Sequence, residues 1–227
     1  MIKQFKFKGD ESKFFFISDL HYGHSPNWEI PLCKRRGYNT VEQMNSAIIE
    51  NWNKVCDNTS QVFNLGDFVF QDPTGEKFIE LHNKLNFQIL FCLEGNHLSG
   101  HKQVYINELK KQFPNAYTDK LNFCVYPLEF KLNDNKKIIF MPEYMEVIIN
   151  KTVLCLCHYP LYVHNYQKDK SISLVGHSHS SCSLTNKDTG RGMRLDCGFE
   201  SFQRPISLTE VKEWLKNRDL DQVDHHQ

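Results

Sequence analysis

Five short stretches of this chain carry residue types that bind metal ions: Asp19-Leu20-His21, Gly66-Asp67, Gly95-Asn96-His97, His158 and Gly176-His177-Ser178-His179. Singly, each is weak. An aspartate after a strand is commonly a turn former or a helix cap, and a histidine before Tyr159-Pro160 is commonly a hydrogen-bonded turn residue. With His97 set aside, together they offer two carboxylates, one amide and four imidazoles (His21, His158, His177, His179). That mixture suits borderline divalent ions such as Mn²⁺, Fe²⁺ or Zn²⁺. Thiolates are missing from the set, which argues against a structural zinc site. Cys155 and Cys157 share a strand face next to His158 and read as packing residues.

Such residues work only if the fold brings them together. Lys13 to Ser18 is a short apolar run, read as a buried strand that ends at Asp19. The Asp-x-His spacing on an extended chain end would put both side chains on one side. Thr40 to Lys54 has apolar residues at helical period (Val41, Met44, Ile48, Ile49, Trp52), with Thr40 as N-cap and Gln43 completing a capping box. Gln61 to Leu65 reads as a strand, Thr74 to Leu85 as a helix and Gln88 to Leu93 as a strand. Lys102 to Phe113 reads as a helix stopped by Pro114. Short runs follow at Leu121 to Val125, Leu128 to Leu132 and Lys136 to Met141, as in a hairpin region. Thr152 to Cys157 and Ser171 to Val175 are strands running into His158 and Gly176-His177. Gly192 to Leu195 and Pro205 to Leu208 are two further candidates, and Val211 to Leu215 is a short helix or a strand end. Alternating strand and helix in the first half predicts parallel β-α-β units, and the second half is mostly β. Ligand sites in such sheets lie beyond the carboxyl ends of strands, where the five stretches fall.

Bulk properties narrow the function classes. The 227 residues suit one domain or at most two small ones; a single domain is expected over residues 1–220, with 221–227, including Asp224-His225-His226, a frayed tail. Lys+Arg and Asp+Glu are 27 each, whereas a dedicated nucleic-acid binder usually carries a basic excess. Basic clusters such as Lys34-Arg35-Arg36 read as solvated surface. The eight cysteines include no Cys-x-x-Cys pair. Several sit in apolar runs (Cys92, Cys124, Cys155, Cys157), as reduced thiols of a cytoplasmic protein do. Met1 to Lys6 alternates apolar and polar residues, so no secretory leader is expected, and no run reaches the length of a membrane span.

In order, Asp-x-His, Gly-Asp, Gly-Asn-His, a lone His and Gly-His-x-His resemble the signature of the calcineurin-like metallophosphoesterase superfamily. Ser18-Asp19-Leu20-His21-Tyr22-Gly23-His24, with Asn51-Trp52-Asn53, is similar to its small single-domain bacterial and phage branch. The resemblance implies an α/β fold, a four-layer α/β/β/α sandwich, and a dinuclear centre. One ion would take Asp19, His21, Asp67 and His179. The other would take Asp67, Asn96, His158 and His177, with Asp67 bridging. It also implies attack on phosphorus by a metal-bridging hydroxide, with His97 as general acid. His24 is either a phosphate contact, a second acid or a plain loop histidine, and Arg35 and Arg36 are weaker candidates for substrate contact. Two departures stand out. Phe68-Val69-Phe70 replaces the Asp-Arg-Gly element of phosphoprotein phosphatases. Leu98 stands where the family usually has an acidic residue after Gly-Asn-His, so Glu94 or another carboxylate would have to orient His97.

The leading expectation is thus a dinuclear metal-dependent phosphoesterase, favouring Mn²⁺ or Fe²⁺ with Zn²⁺ as a third option. It would hydrolyse phosphodiesters or small nucleotides. The rivals are a non-catalytic metal-binding scaffold on the same fold and a nuclease acting on short nucleic acid.

Overall fold

The computed structural model describes residues 4–25, 29–97, 101–114 and 128–220. The strands are β1 Gln4–Phe7, β2 Phe14–Ile17, β3 Gln61–Asn64, β4 Ile89–Cys92, β5 Leu128–Asn133 and β6 Lys136–Phe140. They continue with β7 Tyr144–Ile149, β8 Thr152–Cys157, β9 Ile172–Val175, β10 Arg194–Asp196 and β11 Ile206–Ser207. They form two sheets, in the orders β11-β2-β3-β4-β6-β5 and β1-β7-β8-β9-β10.

In the first sheet β2, β3, β4 and β6 run parallel, and β5 and β11 close the edges antiparallel. A parallel sheet covered on both faces needs strands that are apolar throughout, and β2 is Phe-Phe-Phe-Ile, buried at every position. Phe15, Ile17, Val62, Leu90 and Cys92 face the helices. Phe14, Phe16, Phe63 and Phe91 face the second sheet. Phe16, Phe63 and Phe91 are register partners across three strands. Their rings stack with centroids 5.4 Å and 4.3 Å apart, and Phe7 of the second sheet meets Phe63 and Phe91 edge-on at 5.9 Å and 5.5 Å. Such aromatic pairs favour one register. This one sets the carboxyl ends of β2, β3 and β4 level, where Asp19, Asp67 and Asn96 follow.

The second sheet turns Met145, Val147, Leu154, Leu156, Ile172 and Leu174 toward the first. Its other face carries Glu146, Cys155, Ser173 and Arg194, all buried. Segment 159–170, with a 3-10 turn at Gln167–Asp169, covers that face. Asn165 donates to Glu146 at 2.8 Å, and Arg194 donates to the Tyr162 carbonyl at 2.8 Å. The layer order is helices, sheet, sheet and this thin covering segment.

The helices are α1 Leu32–Arg35, α2 Val41–Val55, α3 Glu76–Lys84, α4 Lys102–Gln112, α5 Phe199–Phe202 and α6 Leu208–Leu215. Met44, Ile48 and Trp52 of α2 pack on the first sheet with Phe78 and Leu81 of α3 and Tyr105 and Leu109 of α4. Thr40 caps α2 as expected, its side chain accepting from Gln43 N. The reciprocal bond is shifted by one residue, because the Gln43 side chain accepts from Asn39 N at 2.9 Å. A full capping box occurs at α6 instead, between Ser207 and Glu210. That box resolves the helix-or-strand alternative at Val211–Leu215 in favour of a helix. Two strands, β1 and β7, went unrecognised in the sequence. They pair parallel with each other, and β7 pairs antiparallel with β8. The strand expected over 121–125 and the tail 221–227 lie outside the described residues.

Candidate metal centre

The expected ligands converge at the seam between the sheets, past the carboxyl ends of β2, β3, β4, β8 and β9. Asp19, His21, Asp67, His177 and His179 all have positive φ, from 48° to 64°. Non-glycine residues rarely adopt that conformation, and its cost gathers at functional sites. It also corrects the reason given for the Asp19–His21 pair. The two side chains meet at one point, yet the chain there is left-handed rather than extended. Parallel bonds between neighbouring loops hold the turns: Asp19 N–H to the Gly66 carbonyl at 3.1 Å, and His21 N–H to the Asp67 carbonyl at 2.9 Å.

Asp67 sits between two sets of imidazoles. Its Oδ2 lies 3.4 Å from His158 Nε2 and 3.7 Å from His21 Nε2, and its Oδ1 accepts from His97 N–H at 3.0 Å. Burial alone would raise this carboxyl. The His158 hydrogen bond and charge, with His21 and the His97 N–H, bring it down to about 2. Asp19 is fully buried. Its Oδ2 accepts from His177 N–H at 2.8 Å, whereas its Oδ1 accepts no hydrogen bond. Burial pushes this carboxyl up to about 6, against the pull of His158 and His179. Oδ1 lies 3.8 Å from His21 Nε2 and 3.9 Å from His179 Nε2.

The imidazoles are oriented from behind. His158 Nδ1 meets the Leu65 carbonyl at 3.0 Å. That contact places a proton on Nδ1 and turns Nε2 toward Asp67 and Asn96, where it donates to Asp67 when the ring is charged and is free to ligate a cation when the ring is neutral. His179 Nδ1 meets Glu200 Oε1 at 2.8 Å, so its Nε2 also faces inward. The Nε2 atoms of His179 and His21 are 3.2 Å apart on stacked rings. Asn96 Oδ1 lies 2.9 Å from His158 Nε2 and 3.0 Å from His177 Nδ1. An unpartnered buried carboxylate oxygen, with nitrogen lone pairs converging on it, is a donor set that a divalent cation satisfies. Three triads have ligand atoms within 4.8 Å of one another: Asp19/His21/His179, His21/Asp67/His97 and Asp19/Asp67/His158.

His97 is half-buried, its ring 5.1 Å from that of His21 and 5.0 Å from that of Phe70. A cavity of about 760 Å³ opens over the centre, lined in part by His24, Leu32, Arg35, Arg36, His97 and Ser181. His24 packs on Phe70 with centroids 3.9 Å apart. Burial pushes its imidazole down to about 4, so it is neutral at pH 7. Arg35 lies on the cavity wall. Arg36, grouped with it as a substrate contact, is committed elsewhere. Its side chain is 3% exposed and bonds to the Asp19 and Leu20 carbonyls and to Glu200. Glu94, considered as a partner for His97, pairs with Lys102, and Leu98 lies outside the described residues. Cys155 donates to the Asn165 carbonyl on the far face of the second sheet, in keeping with a packing role.

Sequence reading missed Glu200 and Asp196. Asp196 accepts from Ser178 Oγ, Ser180 N–H and Gly198 N–H, which ties down the turn carrying His177 and His179. Burial would raise the Glu200 carboxyl, but His179 and Arg36 hold it at about 2. Neither residue belongs to a recognisable motif, and no spacing signals them.

The fold and site together define a class: a two-sheet α/β sandwich with a carboxylate and imidazole cluster fit for metal ions at its seam. The profile of the calcineurin-like phosphoesterases matches residues 12–181, and the chain belongs to that family, whose members generally bind two divalent metals. The uncharacterized protein MJ1445 of Methanocaldococcus jannaschii is 38% identical over 85 residues, which is 37% of this chain. The match spans 46% of that relative's length. A crystal structure of the protein of unknown function AQ665 from Aquifex aeolicus shares the fold. Its TM-score is 0.55 at 16% identity, over 89% of this chain and 98% of that one. Among the described residues no helix is long and apolar enough to cross a membrane.

Proposed function

We propose that the protein is a dinuclear, metal-dependent phosphodiesterase acting on phosphodiesters or small nucleotides. Asp19, His21, Asp67 and His179 would hold one divalent ion, and Asp67, Asn96, His158 and His177 the other. The observation that carries this is Asp67, whose one carboxylate oxygen lies within 3.7 Å of imidazoles from both sets. Two cations bound there supply Lewis acidity toward phosphoryl oxygens and a water acidic enough to attack near neutral pH. The protein's own groups do the rest. Asp67 keeps the two sets in register, and the Leu65 carbonyl and Glu200 aim two imidazoles. His97, at the cavity wall beside His21, donates a proton to the leaving oxygen. Mn²⁺ or Fe²⁺ suits this oxygen-rich and nitrogen-rich set better than a thiolate-seeking ion.

Phe68-Val69-Phe70 in place of Asp-Arg-Gly supports diesters over phosphoproteins. The equal counts of acidic and basic residues favour a small nucleotide-like substrate over long nucleic acid. Seven described cysteines, unpaired and mostly buried, support a cytoplasmic setting. The test is metal content after reconstitution, followed by rates on bis-p-nitrophenyl phosphate and a phosphopeptide with Mn²⁺. Two ions per chain and a clear diester preference are expected. A stoichiometry of one or none removes the dinuclear reading, and a phosphopeptide preference removes the substrate class.

A further inference from the structure

We propose that Glu200 and Arg36 clamp His179, and that this makes the cation position formed by Asp19, His21, Asp67 and His179 the tighter of the two. The inference rests on the dinuclear reading above and adds to it a loading order and a positioning residue. Glu200 Oε1 accepts from His179 Nδ1 at 2.8 Å and from Arg36 Nε at 2.7 Å. An ionised carboxylate can only accept, so Nδ1 carries the proton and Nε2 presents its lone pair. Arg36 places two more N–H groups on the carbonyls of Asp19, at 2.6 Å, and Leu20, at 2.8 Å. Its guanidinium also lies 4.8 Å from the centre of the Phe199 ring. One buried cation thus fastens the loop that carries Asp19 and His21 to the carboxylate that aims His179. The three ligands are preorganised before any ion arrives, across the seam between the sheets.

At the other position, among the described residues, no carboxylate stands behind either ligand imidazole. Among the described residues the His177 ring bonds only to the Asn96 amide, at 3.0 Å. Both residues are exposed. His158 is aimed by a neutral backbone carbonyl. A carboxylate behind a ligand imidazole raises its basicity and fixes its orientation, and removing one commonly weakens metal binding by about 10–100-fold.

The experiment is a Co²⁺ titration of metal-free protein, followed by calorimetry and by the visible absorption of the bound ion. Wild type should bind two ions in resolved steps. Glu200→Gln should weaken the tight step by about 10–100-fold and change the spectrum of the first ion, with the weak step unmoved. Arg36→Lys should weaken the tight step in the same sense. His177→Ala should abolish the weak step and leave the tight one, which keeps the assignment testable if Glu200→Gln fails to fold. Two equal steps in wild type overturn the proposal, as does a Glu200→Gln that weakens both steps alike or only the weaker. A wild type that binds one ion in total would instead overturn the dinuclear reading, so the two failures are distinguishable.

Discussion

The first sheet supplies both carboxylates of the centre, Asp19 and Asp67, with His21 and Asn96. The second supplies only imidazoles, from His158, His177 and His179. The first set is tied loop to loop by backbone bonds along parallel strands. The second set is tied across the seam: His177 N–H to Asp19 Oδ2 at 2.8 Å, and the His158 ring to the Leu65 carbonyl at 3.0 Å. Neither sheet alone offers a balanced site for divalent cations. The negative charge lies on one side and most of the neutral donors on the other. The centre is therefore a property of the seam, and cation binding should stabilise the packing of the two sheets on each other.

The sharpest way to break this comparison is to remove the shared carboxylate. Asp67→Asn should lower occupancy at both positions and erase the stabilisation that added Mn²⁺ gives to thermal unfolding. Several kcal/mol of transition-state stabilisation depend on the ions, so activity should fall by about 10²–10⁴-fold. If Asp67→Asn loses one ion and keeps the other at full affinity, Asp67 belongs to one set and the sheets are not coupled through it.

The seam can also be pried apart by a single methyl group. Gly66 has φ of +121°, and a Cβ there would lie 2.5 Å from His158 Nδ1 and 2.9 Å from Gly95 Cα. Gly66→Ala should therefore destabilise the fold by about 2–4 kcal/mol, measured by urea unfolding without metal. It should also weaken the position that uses His158. Wild-type stability in this variant would mean that the loop after β3 relaxes freely and that the seam is less tightly packed than the distances indicate.

Legibility follows the same division. The first sheet was readable because its strands alternate with helices of clear period and each ends at a Gly, Asp or Asn. Asp19, His21, Asp67 and Asn96 lie together because those strand ends are level. The second sheet was less readable. β7, Tyr-Met-Glu-Val-Ile-Ile, places Glu146 on a buried face, where Gln4, Tyr144 and Asn165 satisfy it. A charged residue in the middle of a short run hides a strand from a reading based on apolar patterning. Arg36 and Glu200 were misread or missed for a related reason. Their roles depend on partners 164 residues apart in sequence, and no local spacing encodes such a pair.

A third measurement separates the seam from the helix layer. His82 on α3 is fully buried, neither ring nitrogen has a hydrogen-bond partner, and its ring lies 5.7 Å from that of Phe78. Burial, then the nearby Lys136 charge, push its imidazole from 6.5 down to about 4. The unfolded chain binds a proton that the folded one refuses, so stability falls as pH drops from about 6.5 to about 4. His82→Leu should remove about 3 kcal/mol of that acid sensitivity. The gain should be the same with and without metal, because the site is remote from the seam. If the variant's gain depends on Mn²⁺, the helix layer and the centre are coupled.

The smallest expected effect concerns the one candidate catalytic histidine on the first sheet. On the second sheet, His179 has Glu200 behind it. His97 is followed by Leu98, where the family pattern has an acid. A carboxylate there would fix the tautomer of the ring and stabilise its protonated form, as a general acid requires. Leucine does neither, so wild type should lag on poor leaving groups, which need a proton, and not on p-nitrophenolate, which does not. Leu98→Asp should raise the rate on alkyl or nucleoside leaving groups by about tenfold, or about 1.4 kcal/mol. It should leave p-nitrophenyl substrates within about twofold, since the proton-transfer contribution is absent there. His97→Ala should steepen the dependence of rate on leaving-group pKa and keep the metal content. If His97→Ala slows every substrate equally, His97 positions substrate rather than donating a proton. Leu98→Asp should then be silent on all of them.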